Sequence, residues 1–172
     1  MLASRLKDVW VMRPRILFVG INPSLRSGEV GHHFASPGNP FWRLLHASGL
    51  TPVLLRPDED WRMAESGFAL TNLCSRATRS AAELSRDELA RGVEALTKKI
   101  RRLQPKVVAF VGLSVYQRFF SLKQSGGAGP KPELIEGACV FALPNPSGLN
   151  ASFPGFAHKL KWFQELRAFA ER

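Results

Sequence analysis

The chain has 172 residues, of which 45% are hydrophobic, and this length suits one globular domain, residues 1–172, with a sizeable core. Its 24 basic and 14 acidic residues give a formal charge of +10, which favours a polyanionic partner, nucleic acid first and an anionic membrane surface second. The two cysteines, Cys74 and Cys139, are too few and too far apart for a zinc site or an iron–sulfur cluster. We therefore expect two buried thiols and neither a metal nor another cofactor.

The ends and the apolar runs of the chain bear on its location. The first ten residues are charged and lack the apolar core of a signal peptide, and no run approaches the ~18 apolar residues of a membrane span. We therefore expect a soluble, intracellular protein of the cytoplasm or nucleoid, with no membrane partner, acting as a monomer.

Short apolar runs alternate with helical patterns along the chain. Runs at 16–19, 68–70, 107–111 and 139–143 are β-branched or aromatic-rich and bounded by Gly or Pro, which is typical of buried parallel strands. Helices are predicted at 40–47, from the capping box at Ser85 to the helix breaker Pro105, and at 156–170, whereas 125–130 reads as a flexible loop. The alternation predicts an α/β fold, a three-layer α/β/α sandwich with a central, mainly parallel sheet of about four to five strands.

Two of the predicted strands end in the same polar turn. Asn22-Pro-Ser follows the first strand and Asn145-Pro-Ser follows the fourth. Carboxyl ends of parallel strands open on one edge of a sheet, where ligands bind in open α/β folds. The two turns therefore predict a cleft with preset polar groups, although an Asn in such a turn can also serve only the local backbone.

Between these turns lies a loop, residues 31–42, that is dense in aromatic and turn residues. An aromatic ring in a loop of a basic protein is a candidate platform for stacking a nucleic-acid base, and a core Phe is the alternative for Phe34. His32 and His33 in the same loop read as solvent-facing residues, with a phosphate or base contact as the alternative.

In these segments the chain resembles the mismatch-specific uracil/thymine DNA glycosylases, a branch of the uracil-DNA glycosylase superfamily. The resemblance extends from about residue 15 to about residue 150. It is carried, in the family's order, by Gly20-Ile-Asn-Pro, Phe34-Ala-Ser-Pro-Gly-Asn-Pro-Phe-Trp42, Leu70-Thr-Asn-Leu, Leu103-Gln-Pro and Asn145-Pro-Ser-Gly-Leu149.

The resemblance implies a role for each matching residue. Asn22 would position a water molecule for attack at C1′ of a flipped deoxyuridine, orienting it by hydrogen bonds because a carboxamide is not a strong base. Phe34 would stack on the base. The remaining pocket positions implied by the family are Ile21, Ser24, Ser27 and Asn72.

The second motif is similar to the family's wedge into the duplex. Leu149 would fill the gap left by the extruded nucleotide, and an apolar wedge offsets the lost stacking. The contacts to phosphates and to the orphaned guanine would come from Asn145, Pro146, Ser147 and Gly148.

The sequence departs from the family pattern in two places. Ser24 stands where relatives usually have Gly, and Asn150-Ala151 replaces a common Ser-Arg pair, which removes a positive contact to DNA. Compensating cations could come from Arg76, Arg79, Lys159 or Lys161. Asp87, in the first turn of the capped helix, is a candidate second catalytic residue: it would supply a base if that helix pointed into the cleft, and otherwise it would complement the helix dipole.

The sequence thus predicts a monofunctional DNA glycosylase that excises uracil, and by extension thymine or other damaged pyrimidines, from mismatches with guanine in double-stranded DNA. It would flip the base and hydrolyse its N-glycosidic bond, which initiates base excision repair. The alternative is a double-stranded DNA-binding protein of the same fold that is inactive or has another specificity.

Overall fold

The computed structural model describes residues 6–147 and 155–172. Five strands form one sheet: β1 (Ile16–Gly20), β2 (Phe68–Asn72), β3 (Val107–Val111), β4 (Gly129–Ile135) and β5 (Ala138–Leu143). Their order is β2-β1-β3-β5-β4, and every neighbouring pair is parallel except β4 with β5. The mainly parallel sheet predicted from the sequence is confirmed.

Within the described residues, five α-helices connect and flank these strands. They are α1 (Leu25–Val30), α2 (Phe41–Ala47), α3 (Arg86–Leu103), α4 (Leu113–Phe119) and α5 (Phe156–Glu171). Two 3₁₀ helices, Pro57–Ser66 and Ala81–Glu83, precede β2 and α3. The predicted capping box is formed, because the Ser85 hydroxyl accepts from the Glu88 N–H while the Glu88 carboxylate accepts from the Ser85 N–H.

Alternate residues of each strand enter two separate cores, one on each face of the sheet. On one face, Phe18 and Phe141 pack with α2 and α5; on the other, Val19 and Phe110 pack with α3 and α4. Burial on both faces explains why the parallel strands are continuous apolar runs. The result is the predicted three-layer α/β/α arrangement.

The structure also differs from the sequence-based assignment. The predicted loop 125–130 overlaps the start of β4 at Gly129. β4 is not among the four predicted strands because it is an edge strand, with two prolines and alternating burial, rather than a continuous buried apolar run. The short helices α1 and α4 were not predicted. Cys74 is buried as expected, but Cys139 is exposed on β5, so the expectation of two buried thiols was wrong for Cys139.

Within the described ranges, no helix is both long and apolar enough to cross a membrane.

Helix α3 approaches the chain after β2 so closely that only glycine fits at position 92. A Cβ on Gly92 would overlap the carbonyl oxygen of Leu73 and lie 3.3 Å from the Cys74 sulfur. We expect Gly92→Ala to lower the free energy of unfolding by about 1–3 kcal/mol, because overpacking outweighs the ~1 kcal/mol gain in helix propensity. Urea unfolding followed by circular dichroism measures this. Ala95→Gly at an exposed position of α3 reports propensity alone, and a Gly92→Ala protein more stable than the parent would refute the close approach.

Candidate active site

A cavity of about 150 Å³ lies beyond the carboxyl ends of β1, β2, β3 and β5. The sheet order places it at a topological switch point, because the chain leaves β1 towards β2 on one side and returns to β3 on the other. An apolar protein cavity of about 150 Å³ binds benzene, so the volume suits one six-membered ring.

Most of the residues selected from the sequence meet at this cavity. Its lining includes Ile21, Asn22, Ser24, Ser27, Phe34, Asn72, Asn145 and Ser147. Pro146 is buried beside it without forming part of the lining, and Gly148 and Leu149 lie outside the described residues. The predicted cleft between the two Asn-Pro-Ser turns is therefore present.

The Asn22 carboxamide is oriented by a set of acceptors. Its Nδ2 donates to the Arg76 carbonyl at 2.8 Å, to the Thr78 hydroxyl at 2.7 Å and to the Pro23 carbonyl at 3.3 Å. Carbonyl oxygens only accept, so the NH₂ group must face them. The opposite atom, Oδ1, accepts no hydrogen bond within the described part of the chain, and Asn22 lines the cavity.

Phe34 lines the cavity, and one face of its ring stacks on Phe41 of α2, with centroids 3.9 Å apart and an interplanar angle of 28°. The Phe34 backbone is left-handed, with φ at +50°, which is uncommon for a bulky residue and indicates that the surrounding contacts impose this placement. The half-buried ring thus belongs both to the core and to the cavity wall, so the two interpretations of Phe34 are compatible.

The absence of a side chain at Gly20 leaves room for the Asn72 carboxamide beside Phe34. A Cβ at Gly20 would lie 2.5 Å from Asn72 Oδ1 and 3.6 Å from Phe34 Cζ. Because that oxygen occupies the space of a side chain, Asn72 reaches across the end of β1. The Asn72 carboxamide and the Phe34 ring therefore both lie beside Gly20 in the cavity wall.

The Ser24 hydroxyl is committed to contacts within the protein. It caps α1 by accepting from the Ser27 N–H at 3.1 Å, and it accepts from the Ser36 hydroxyl at 2.9 Å. The Ser27 hydroxyl in turn accepts from the Ala35 N–H at 3.0 Å. Ser24 and Ser27 therefore anchor the loop that carries Phe34.

The position of His33 contradicts the sequence-based expectation of a solvent-facing loop residue. It is only 2% exposed, it lines the cavity, and its backbone N–H donates to the buried Asp60 carboxylate at 2.9 Å. Burial lowers the pKa of His33, against the opposing effects of the Lys7 carbonyl and the Asp60 charge. The ring is therefore neutral at pH 7, and its Nε2–H donates to the Lys7 carbonyl at 2.8 Å.

Several lining residues were missed from the sequence as site residues. Asn39 lies on the aromatic loop, where its Oδ1 accepts from the N–H of Phe41, the first residue of α2, at 3.0 Å. Val111 at the end of β3 and Ser114 and Val115 in the first turn of α4 also line the cavity, although no polar turn follows β3 in the sequence. The signal available in the sequence was a glycine at the strand end: Gly112 directly follows β3, as Gly20 closes β1.

The second Asn-Pro-Ser turn is fixed from inside the protein. Asn145 Oδ1 accepts from the Ser147 N–H at 3.2 Å, and the Pro146 carbonyl accepts from Lys159 Nζ at 2.8 Å. Lys159 is 7% exposed, so it holds the turn against α5 and is not a surface cation as the sequence analysis had suggested.

Arg76 is likewise occupied within the protein. Its guanidinium donates two hydrogen bonds of 2.8 Å to the Glu88 carboxylate and one of 2.9 Å to the Glu83 carbonyl. Arg79 and Lys161 remain exposed. The pair with Glu88 fixes the segment whose carbonyl receives Asn22.

Asp87 lies apart from this arrangement. It is exposed in the first turn of α3, where a carboxylate complements the helix dipole, and it does not line the cavity. The proposed role of Asp87 as a base required its helix to point into the cleft, and the structure does not place Asp87 there. Among the described lining residues there is no carboxylate, and His33 is the only titratable side chain.

In residues 6–147 and 155–172, no cluster of three or more His, Cys, Asp or Glu side chains is arranged to hold a metal ion.

Comparisons with known proteins agree on one group. The model of the uracil DNA glycosylase superfamily matches residues 9–167. Among solved structures, the chain is similar to a solution NMR structure of a "putative Uracil DNA glycosylase" from Methanosarcina acetivorans, with a TM-score of 0.60 and 18% identity over 100% of both chains. At this identity the structural match supports the fold alone.

The Arg76–Glu88 pair makes stability depend on pH in a defined direction. The hydrogen bonds from Arg76, followed by that from the Ser85 N–H, lower the pKa of Glu88 from 4.5 to about 2. A carboxylate with a depressed folded-state pKa stabilises the fold above pH 4.5, and this contribution is lost as the pH falls towards 2.

We therefore expect Glu88→Gln, which keeps the capping box, to be less stable than the parent at pH 7 and equally stable near pH 2. Denaturant titrations at a series of pH values measure this difference. Glu94→Gln, which removes an exposed pair with Lys98 on the same helix, is the control with a small effect at pH 7. A stability difference that grew on acidification would contradict the assignment.

Proposed function

Since the chain belongs to the uracil DNA glycosylase superfamily, we propose that it excises uracil from guanine mismatches in double-stranded DNA by hydrolysing the N-glycosidic bond. Membership implies DNA as the partner and a DNA glycosylase activity. Preference for a mismatch with guanine is the finer part of the proposal, and it rests on the motifs around Asn22 and Asn145.

The observation that carries the proposal is the orientation of the Asn22 carboxamide. Its NH₂ group is held by the Arg76 and Pro23 carbonyls and the Thr78 hydroxyl, which leaves Oδ1 as an acceptor at a ring-sized cavity. An acceptor at this place can hold a water molecule by one of its protons and direct its lone pair. Catalysis then comes mainly from geometry, which suits a cavity whose described lining contains no carboxylate.

The residues that line the cavity suit both the flat face and the polar edge of a pyrimidine ring. We propose that the face of Phe34 opposite Phe41 is the stacking surface and that the carboxamides of Asn72 and Asn39 offer donors and acceptors to the polar edge of the pyrimidine. A flipped base is recognised in this way, by stacking and by hydrogen bonds to its edge.

The proposed step is a hydrolysis. The oxygen of the water held by Asn22 forms a bond with C1′ while the bond between C1′ and N1 of uracil breaks. The electron pair of that bond leaves with the base, which then takes up a proton, and the proton lost by the water passes to solvent. The products are free uracil and an abasic site.

The charge of the protein supports the proposed partner. With 24 cations and 14 anions, an excess of ten positive charges persists even if every carboxylate is paired. Contacts to DNA phosphates release counterions and supply affinity that does not depend on sequence. Asn145 and Ser147 are exposed at the rim of the cavity, where we propose that they contact the duplex.

We expect the protein to release uracil from a G·U duplex, detected as strand scission after alkali treatment. Asn22→Ala should slow this step by about 10²-fold or more under single-turnover conditions, because the water loses its positioning group. Asp87→Ala should cleave at the parent rate, since its carboxylate lies outside the cavity.

The same assay with A·U, G·T and single-stranded substrates tests the preference for a G·U mismatch. Equal rates on G·U and A·U would reject the mismatch preference while leaving a glycosylase. Duplex binding without release of any base would favour the alternative of a non-catalytic DNA-binding protein.

A further inference from the structure

We propose that Thr78 is a positioning residue for Asn22, whose carboxamide its hydroxyl holds with Oδ1 directed to the cavity. This inference rests on the proposed function only for its kinetic consequence. The contact itself joins residues 56 positions apart in the chain, with Asn22 Nδ2 and Thr78 Oγ1 separated by 2.7 Å.

The direction of each hydrogen bond at Thr78 is determined. The hydroxyl donates its single proton to the Ser80 carbonyl at 2.8 Å, so towards Asn22 it can only accept. This fixes which end of the carboxamide faces Thr78. A rotation of the amide by half a turn would place Oδ1 against the Arg76 carbonyl and the lone pairs of the Thr78 hydroxyl, which is an unfavourable contact between acceptors.

The hydroxyl is also shielded from water, because Thr78 is 4% exposed. A hydrogen bond in such a place is costly to leave unmade, since no solvent replaces the missing partner. The Asn22 carboxamide therefore has one favourable orientation before any substrate binds.

The backbone of Thr78 is attached to the Asn22 turn independently of the hydroxyl. The Thr78 N–H donates to the Pro23 carbonyl at 3.2 Å, and Thr78 forms a parallel bridge with Ser24. The methyl group of Ala77 packs against α1, where a Cβ on Gly28 would lie 2.8 Å from it. Removal of the hydroxyl alone should thus leave the segment in place, which makes the inference testable with a folded protein.

The test compares Thr78→Val, which replaces the hydroxyl by a methyl group, with Thr78→Ser, which keeps the hydroxyl. Thr97→Val is a matched control: Thr97 also donates its hydroxyl to a backbone carbonyl, that of Val93 at 2.7 Å, on α3 and away from the cavity. Single-turnover cleavage of a G·U duplex and the dissociation constant for the same duplex are measured for each protein.

We expect Thr78→Val to reduce the single-turnover rate by roughly tenfold to a hundredfold, because a misplaced catalytic group costs rate. Its dissociation constant should stay within about twofold of the parent, as for a positioning effect expressed in the chemical step. Thr78→Ser and Thr97→Val should both cleave at close to the parent rate. A Thr78→Val protein as fast as the parent, or a Thr78→Ser protein as slow as Thr78→Val, would overturn the inference.

A second readout does not require any activity. The side-chain NH₂ protons of Asn22 should exchange with solvent roughly five- to tenfold faster in Thr78→Val than in the parent, as measured by NMR on ¹⁵N-labelled protein. Unchanged exchange would overturn the inference. A parent protein that shows protected Asn22 protons but releases no uracil would reject the proposed function and leave the role of Thr78 in orienting Asn22 intact.

Discussion

The sheet grows from β1 in both directions, with β2 on one side and β3 on the other, and this reversal produces the crevice in which the cavity lies. Because the strands are parallel, their carboxyl ends supply Asn22, Asn72, Val111 and Asn145 to one place. These strand ends carry polar residues of the site, while the apolar cores on the two faces of the sheet hold the strands rigid.

Hydrogen bonds within the protein position the polar side chains around the cavity. The NH₂ group of Asn22 donates to the Arg76 carbonyl and the Thr78 hydroxyl, and Oδ1 of Asn39 accepts from the Phe41 N–H. The other end of each carboxamide, Oδ1 of Asn22 and Nδ2 of Asn39, belongs to a residue that lines the cavity. A group that is already oriented pays little entropy when substrate binds, which is the physical meaning of a preorganised site.

Local signals explain which parts of the structure the sequence predicted. The capping box at Ser85 and the continuous apolar runs identified α3 and the four buried strands, because these elements depend on neighbours in the chain. β4 escaped because its prolines and alternating burial suit an edge strand and a loop equally well. The resemblance to a family placed Asn22, Phe34 and Asn145 at one site.

The remaining features depend on contacts between residues far apart in the chain. Nothing local marks Thr78 as the partner of Asn22, Asp60 as the partner of His33, or Lys159 as a buried support for Pro146. The same limit applies to Asp87, whose position in the first turn of α3 was evident while the direction of that helix relative to the cavity was not.

We propose above all that the cavity beside Phe34 receives a flipped uracil. A crystal structure of the Asn22→Ala protein bound to a G·U duplex would locate the base, because the slowed reaction leaves it attached to the sugar. We expect uracil outside the helix, stacked on the face of Phe34 opposite Phe41, with its polar edge towards Asn72. A uracil that remained paired within the duplex, or that lay in another part of the protein, would refute this proposal.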